Sequence, residues 1–374
     1  MPRALVIGAG PAGVVAAAVL ARGGFEVEVV EAKAFPRDKV CGECLSSLGQ
    51  QTLRDAGFGM TLDELRPTTL THATFVDRRG RSATLRLPHD VAGVTRKAMD
   101  GAFVDALPAE VVRHQPARVL KLDGTTARLT TGTIEADVVF LADGKGTLAG
   151  GTATPPKPTG DLGLKAHFTG VALDPASIAL FALDGHYVGA AAVSDGDRVV
   201  WNLAMNVPAA KLQRGESHDE LFERLCRKNP ALTKAVVDAT RIGDWLASPL
   251  PRFAPYRSKT WPPGVVPIGN AAAALEPIGG EGMGLAIASA YAAADLVARE
   301  GWDQATLRQL DTQYGKLWRT RRVACRLTAM AMSRGWSSRT IVSAARVLPA
   351  ASRLGLRLTG KADARSPAAR PALS

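Results

Sequence analysis

Residues 4–13 read Ala-Leu-Val-Ile-Gly-Ala-Gly-Pro-Ala-Gly, and this stretch decides the fold class. Its four leading apolar residues predict a short buried strand, and the apolar run that follows predicts a helix from about Pro11 to Arg22. The turn between them has the spacing Gly8-x-Gly10-x-x-Gly13. Gly8 permits a tight turn, Gly10 lets a pyrophosphate approach the backbone, and Gly13 lets helix and strand pack closely. The free N–H groups at the start of the helix attract phosphate.

The residues after this helix complete a dinucleotide-binding unit. Gly23 and Gly24 end the helix, and Glu26–Glu31 alternates with β-branched valines as a strand does. Glu31 ends that strand, where its carboxylate can accept hydrogen bonds from ribose hydroxyls. Strand, helix and acid in this register predict that the chain binds a dinucleotide. A glycine-rich turn without a ligand is the plainer alternative.

Composition limits the class of protein. The 374 residues are 46% apolar and 22% charged, which is typical of a soluble globular chain of about two domains. Four cysteines are too few for a disulfide framework and favour a reducing, cytoplasmic compartment. Glycine and proline interrupt the apolar start of the chain, which argues against a signal peptide or a membrane anchor.

The net charge of +11 is concentrated towards the C-terminus. Residues 316–374 contain 13 Lys or Arg and one acid, so the preceding residues together carry −1. A neutral body argues against nucleic-acid binding. Arg339, Arg346 and Arg353 stand seven apart and would share one face of a helix. We expect this basic region to make peripheral contact with an anionic membrane, a merely solvated face being the alternative.

Two later segments distinguish FAD from NAD. One is Ala142-Asp143-Gly144 after a buried strand, and the other runs from Gly269-Asn270-Ala271-Ala272 to Gly282-Met283-Gly284. Together with the glycine fingerprint and Arg96, they make four matches in the same order as in a known family. Over about residues 3–300 the chain resembles the single-Rossmann flavoproteins, which include aromatic-ring hydroxylases, geranylgeranyl reductases and flavin-dependent halogenases. The resemblance implies that the cofactor is FAD.

The resemblance also implies roles for the matched residues. Arg96 would contact the FAD phosphates or ribityl chain, and the backbone of Val119 would meet the adenine. Asp143 and Gly144 would organise the turn under the pyrophosphate. Asn270, where the family usually has aspartate, would contact the ribityl or pyrophosphate region, and Gly282-Met283-Gly284 would lie under the isoalloxazine. The implied cofactor-binding set is completed by Gly8, Gly10, Ala12, Gly13, Glu31, Ala32, Arg37, Cys41 and Gly42.

The most distinctive loop is residues 35–46, Phe-Pro-Arg-Asp-Lys-Val-Cys-Gly-Glu-Cys-Leu-Ser. Its Cys-x-x-Cys admits a zinc site or a redox-active dithiol as alternatives. Zinc needs about four ligands, and no other cysteine or histidine stands at ligand spacing, so we expect no metal. Enzymes with a redox dithiol beside flavin carry a second Rossmann unit, which the sequence after Gly151 does not predict. By resemblance this is a flavin-proximal loop, in which Cys41 would face the isoalloxazine and Gly42 would allow its close approach; Cys41 is the one catalytic candidate.

The predicted fold class is α/β: a Rossmann-type FAD-binding domain with an inserted antiparallel β-sheet substrate domain and a helical C-terminal region. We expect the FAD-binding domain to be discontinuous, over 1–65, 92–160 and 258–300, with a linker at 144–160. The sheet domain would span 66–91 and 161–257, with one helix near 217–240. Residues 301–374 would form the basic helical region, frayed over 359–374.

The expected function is FAD-dependent redox chemistry on a small, apolar organic substrate. We expect a monooxygenase, in which NAD(P)H binds transiently to reduce the flavin and a flavin C4a-hydroperoxide then hydroxylates or epoxidises the substrate. Reduction of a C=C bond, as in geranylgeranyl reductases, is the second hypothesis. The Cys41–Gly42 loop favours it, but His186–Ala190 stands where those enzymes usually carry Tyr-x-Trp-x-Phe-Pro.

Three further expectations concern the remaining alternatives. Halogenases of this family usually carry Trp-x-Trp, and no two of the six tryptophans here are two residues apart. A non-catalytic binding protein of the same fold is a third hypothesis, but such proteins typically lack a working glycine fingerprint. His167 and His186 lie on predicted substrate-sheet strands, where a single histidine is more often a structural hydrogen-bonding residue than a catalyst.

Overall fold

The computed structural model describes residues 1–144, 148, 161–250 and 262–358. The predicted linker at 144–160 and the predicted frayed end at 359–374 therefore lie outside the described residues, apart from Gly144 and Leu148.

In the described part of the chain, the strands form three sheets, of five, eight and three strands. In chain order they are β1 (Arg3–Ile7), β2 (Glu26–Val30), β3 (Cys44–Leu45), β4 (Thr68–Val76), β5 (Ser82–Gly93), β6 (Val112–His114), β7 (Val119–Asp123), β8 (Thr126–Leu129), β9 (Thr133–Glu135), β10 (Val138–Leu141), β11 (Leu162–Thr169), β12 (Ser177–Ala182), β13 (Tyr187–Asp195), β14 (Arg198–Val207), β15 (Thr240–Pro249) and β16 (Val265–Pro267).

The helices pack on both of the larger sheets and form the C-terminal region. They are α1 (Pro11–Arg22), α2 (Ser47–Asp55), α3 (Gly59–Glu64), α4 (Arg96–Asp105), α5 (His218–Cys226), α6 (Pro230–Ala235), α7 (Gly282–Glu300), α8 (Gln304–Met332), α9 (Gly335–Val347) and α10 (Pro349–Leu356).

The first sheet is parallel and has five strands in the order β16-β10-β1-β2-β6. The predicted β-α-β unit is present, because β1 pairs with β2 in parallel and α1 connects them. The buried helices α1 and α7 pack against each other over this sheet. The edge strand β6 was not predicted, since Val112-Arg113-His114 is short and largely exposed and shows no apolar run.

The second sheet has eight strands in the order β15-β11-β14-β13-β12-β4-β5-β3. It is antiparallel except where β4 and β12 pair in parallel. Its edge is the two-residue strand β3, in which Cys44 pairs with Gly93 and Leu45 with Ala92. The end of the loop that precedes β3 is therefore paired with the eight-stranded sheet.

The helical predictions need two corrections. The helix expected near 217–240 is two short helices, because Asn229 ends the first segment and caps α6 through its side chain, with Pro230 at the first helical position. The C-terminal helix breaks between Val347 and Pro349, so Arg339 and Arg346 lie on α9 whereas Arg353 lies on α10. Within the described residues, no helix is both long and apolar enough to cross a membrane.

Candidate functional site

A cavity of about 310 Å³ lies where the carboxyl ends of β1, β10 and β16 face the eight-stranded sheet. Open parallel sheets bind ligands at this edge, because the loops and helix N-termini that follow the strands converge there. The helical region closes the cavity, with Thr328 of α8 and Leu356 of α10 in its lining. The cavity thus has a cofactor side, a sheet side and a helical wall.

The three glycines of the fingerprint have different surroundings. A Cβ on Gly8, which has φ +105°, would lie 2.5 Å from the Ala142 oxygen, and one on Gly13 would lie 1.8 Å from the Gly8 oxygen. At Gly8 and Gly13 the neighbouring backbone therefore leaves no room for a side chain. Gly10 lines the cavity beside Ala12, and a Cβ there would meet only an Arg96 nitrogen at 4.0 Å. The open backbone at Gly10, at the N-terminus of α1, fits the pyrophosphate of FAD.

Glu31 follows β2 and is held in one orientation. Its Oε2 accepts a hydrogen bond from Ala9 N at 3.0 Å, and its Oε1 accepts one from Lys33 N at 3.0 Å. Arg37 approaches the same carboxylate at 3.4 Å. Ala32 is exposed and does not line the cavity. The carboxylate keeps unused lone pairs, so it can still accept from ribose hydroxyls.

Three cations gather beside the fingerprint. Arg96 is buried and donates two hydrogen bonds, of 2.7 and 2.6 Å, to Asp100. Burial disfavours the guanidinium cation, but the adjacent Asp100 carboxylate outweighs that and raises the pKa of Arg96. Arg37 contacts Asp100 at 3.6 Å. Lys39, which sequence reasoning did not select, lies half-buried in the cavity wall, and its Nζ approaches Gly144. This cluster suits a diphosphate.

The Lys39 ammonium is the titratable member of this cluster. Loss of hydration and the positive charges of Arg96 and Arg37 lower its pKa to about 8. A bound diphosphate would favour the charged form, so FAD binding should take up a proton once Lys39 begins to deprotonate. We expect FAD affinity to be constant below about pH 8 and to fall at most about tenfold per pH unit above it.

A fluorescence titration of apoprotein with FAD between pH 7 and 9.5 measures this dependence. Lys39→Arg keeps its charge over that range and should give a flat profile. The exposed Lys97→Arg is the matched control and should retain the wild-type profile. An unchanged decline in Lys39→Arg would assign the titration to another group.

The flavin-proximal loop lines the cavity through Cys41 and Gly42. A Cβ on Gly42 would meet nothing within 4 Å, so the backbone is open to a ring approaching from the cavity. Cys41 is positioned on two sides, since its Sγ accepts from Glu43 N and its carbonyl accepts from Asn202 Nδ2 at 3.1 Å. Cys41 and Cys44 are both free thiols, and Cys44 is buried in β3. No group of three or more metal ligands occurs among the described residues.

A buried charge cluster, which sequence reasoning missed, anchors this loop. Glu43 is fully buried at φ 57°, and its Oε1 accepts hydrogen bonds from Arg96 N at 2.7 Å and Lys165 Nζ at 2.5 Å. Its Oε2 lies 2.7 Å from His167 Nε2. Lys165 also donates to Asp38 at 2.9 Å. His167 is therefore a structural hydrogen-bonding residue, as expected, and Glu43 joins the loop to β11.

The segment before and at the start of α7 supplies the far side of the cavity. Asn270, Gly282 and Met283 line it, and a Cβ on Gly282 would meet nothing within 4 Å. Gly284 does not reach the cavity, because a Cβ there would lie 2.2 Å from the Ser46 Oγ and the glycine serves helix packing instead. The open backbone at Gly282 and the N-terminus of α7 fit a flat, electron-rich ring.

Val119 and Asp143, also implied by the resemblance, do not line the cavity either. Val119 begins β7 in the three-stranded sheet β7-β8-β9, and its side chain packs in a core beneath the parallel sheet. Asp143 follows β10, and its Oδ2 accepts a hydrogen bond from Leu148 N at 3.0 Å. The next residue, Gly144, has φ +74° and lies in the cavity wall.

The sheet side of the cavity is made by facing pairs on β13 and β14. Tyr187 pairs with Asn206, Gly189 with Ala204, and Ala191 with Asn202, and all six residues line the cavity. Alternation along a strand sends every second side chain to one face. His186, predicted to lie on a strand, instead lies just before β13; its Nδ1 is 2.9 Å from the Asp184 oxygen, and it does not line the cavity.

This face carries the polar groups available to a substrate. Tyr187 donates a hydrogen bond to Glu276 Oε1 at 3.2 Å. Burial raises the pKa of Glu276 and, together with that carboxylate, raises the pKa of Tyr187 well above its usual value. The Oδ1 atoms of Asn202 and Asn206 are buried and have no hydrogen-bond partner among the described residues. The sheet side of the cavity thus offers two acceptors and one hydroxyl among small and apolar residues.

Comparison with known proteins agrees with this geometry. The profile of the FAD-binding domain family matches residues 2–321. Menaquinone reductase of Mycolicibacterium smegmatis is 49% identical over 59 residues, which cover 16% of this chain and 14% of that protein. Squalene monooxygenase of Rattus norvegicus is 33% identical over 91 residues, 24% of this chain and 16% of that protein. The matches therefore span less than a fifth of these curated relatives.

Similarity to solved structures covers nearly the whole chain. Flavin-dependent brominase Bmp2 superposes with a TM-score of 0.75 at 19% identity, over 96% of this chain and 93% of that one. At this identity the similarity demonstrates a shared fold.

Proposed function

We propose, from the premise that this chain belongs to the FAD-binding domain family, that it is an NAD(P)H-dependent monooxygenase acting on an apolar organic small molecule. Membership of the family makes it an FAD-binding oxidoreductase. FAD supplies the redox chemistry when bound, and the protein supplies position, a dry site and hydrogen bonds. The sequence carries a single glycine fingerprint, so the nicotinamide nucleotide would bind only transiently.

The observation that carries the proposal is the predominantly apolar cavity between the cofactor residues and the eight-stranded sheet. Oxygen transfer from a flavin needs a site from which water is excluded, because water diverts the activated oxygen. The facing small residues Gly189, Ala191 and Ala204 leave room for a ring or chain against the sheet. The match to squalene monooxygenase, an enzyme whose name states the same reaction class, lends further support.

The polar groups on the sheet side narrow the substrate class. A substrate hydroxyl or N–H could donate to the unpartnered Oδ1 of Asn206 or Asn202. The Tyr187 hydroxyl lies on the same face, bonded to Glu276, and could hold a substrate oxygen in place. We therefore favour an apolar substrate with one hydrogen-bond donor, such as a phenol or an allylic alcohol.

A second candidate is reduction of a C=C bond in the same cavity. Two observations favour it: Cys41 and Gly42 line the cavity, and the match to menaquinone reductase reaches 49% identity over 59 residues. In that reaction a substrate takes up two hydrogens from NAD(P)H and solvent, and no oxygen is consumed. Monooxygenation instead consumes O2 and NAD(P)H, places one oxygen atom in the product and releases the other as water.

Isotope labelling separates the two reactions. We would incubate the holoprotein with NADH or NADPH under heavy-isotope O2, with a panel of phenols, squalene and menaquinone as probes. The proposal expects one labelled oxygen atom in the product and no turnover under nitrogen. Product formed under nitrogen, with two added hydrogens and no label, would replace the monooxygenase with the reductase. A Gly10→Val preparation without FAD is the blank for uncatalysed oxidation.

A further inference from the structure

The outward face of α8 is apolar although nothing in the described residues covers it. Val323, Leu327 and Met330 are 53%, 59% and 43% exposed. Their spacing of four and three residues places them in one stripe along the helix. Cys325 and Thr328 occupy the opposite side, where Cys325 is buried and Thr328 lines the cavity. The inner side of α8 therefore packs against the protein and lines the cavity, whereas its outer side is apolar and exposed.

The next helix adds two exposed apolar residues that share a face, with the exposed polar residues Thr340 and Ser343 between them. Trp336 is 65% exposed at the start of α9, and Val347 is 76% exposed at its end. They are eleven residues apart, which is three helical turns, so they share a face. We call Val323, Leu327, Met330, Trp336 and Val347 the outer apolar surface.

Cations surround this surface without acids to balance them. Residues 316–358 contain ten Lys or Arg and no Asp or Glu. Lys316, Arg319 and Arg334 are exposed, and none of them forms a salt bridge among the described residues. All charged residues of this segment are therefore positive, and a partner of the outer apolar surface should be both apolar and anionic.

We infer that the outer apolar surface docks on an anionic phospholipid bilayer. Helices that lie in a membrane interface combine Leu, Phe or Trp with a rim of Lys and Arg, and they bind through buried apolar area plus attraction to anionic headgroups. A second copy of the chain would bring the same positive charge to the contact, so charge complementarity favours lipid. Because Thr328 sits on the opposite side of α8, docking would place the cavity next to the bilayer; an apolar substrate drawn from lipid is a consequence that rests on the proposed function.

Vesicle sedimentation tests the docking surface directly. Holoprotein would be mixed with phosphatidylcholine vesicles, with or without 30% phosphatidylglycerol, a fraction chosen to approximate an anionic leaflet. We expect about tenfold tighter binding to the anionic vesicles, weakened by raised salt. The double variant Leu327→Glu/Trp336→Glu should lose most of this binding while it retains FAD absorbance and the wild-type melting temperature.

The matched control places the same charges at exposed apolar residues elsewhere. Met60→Glu/Val237→Glu alters side chains that are 79% and 70% exposed, and it should bind vesicles as the wild type does. Equal loss in both double variants, or equal binding to neutral and anionic vesicles, would overturn the inference. So would a wild-type dimer in light scattering that Leu327→Glu/Trp336→Glu converts to monomer without any vesicle binding. Failure of the isotope experiment alone would leave the docking result unaffected.

Discussion

Gly13→Ala should yield no folded protein, whereas Gly10→Val should fold normally and purify without colour. The two glycines stand three residues apart in one turn, but they meet different surroundings. A Cβ on Gly13 would lie 1.8 Å from the Gly8 oxygen, which is backbone and cannot rotate away. Helix α1 would have to leave β1, and both are buried in the core. That cost competes with a total stability of only about 5–15 kcal/mol.

Gly10 differs because it has an extended backbone, φ −72° and ψ 178°, that any residue adopts. A side chain there would project into the cavity and block the pyrophosphate. Soluble yield, circular dichroism and absorbance near 450 nm distinguish the outcomes. Gly24→Val, at a position with nothing within 4 Å but with φ +83°, controls for backbone strain alone and should keep its FAD. Yellow Gly10→Val protein at full occupancy would move FAD away from this turn.

Glu43→Leu should destabilise the protein by about 3–5 kcal/mol, because it leaves the buried Lys165 ammonium with Asp38 as its remaining carboxylate. It also removes the acceptor of the Arg96 N–H and the partner of His167. Glu43→Gln keeps one acceptor oxygen and should lose less, about 1–3 kcal/mol. Urea unfolding followed by circular dichroism measures both values.

The exposed Glu110→Leu provides the matched control and should change the free energy of unfolding by less than about 0.5 kcal/mol. Because Glu43 holds the flavin-proximal loop to β11, the FAD of Glu43→Gln should also be more fluorescent or dissociate faster. A Glu43→Leu variant as stable as Glu110→Leu would show that the cluster contributes little net stability.

The parts of the fold that the sequence predicts are those with local signals. The glycine spacing and the apolar runs define β1, α1 and β2, since each depends on residues within about 30 positions. The two-residue strand β3 has no periodicity, and its existence depends on Gly93 and Ala92, about 50 residues away. The eight-stranded sheet was expected to be antiparallel, and only pairing between distant segments determines that β4 and β12 run in parallel.

The same distinction applies to the site. Gly10, Cys41, Gly42, Arg96 and Asn270 were selected by motif, and all line the cavity. The sequence does not indicate that Lys165 is buried, because a lysine on a strand usually faces solvent. Its burial depends on the ion pair with Glu43, 122 residues earlier in the chain. Tyr187 was not selected because the sequence shows alternation along β13 but not which residues face the cavity.

The small residues of the sheet side have a consequence for how this enzyme can change. Gly189 tolerates an added methyl, since a Cβ there would make ordinary contacts of 3.6 and 3.7 Å with Leu180 and Ala204. Each added methyl group at Gly189, Ala191 or Ala204 would subtract volume from the sheet side of the cavity, while the glycines of the fingerprint remain unchanged. Gly8 and Gly13 have no room for a side chain, whereas Gly189 does. Under the proposed function, substitutions on this face would change the range of substrates step by step. The strands would stay paired because their hydrogen bonds join backbone groups.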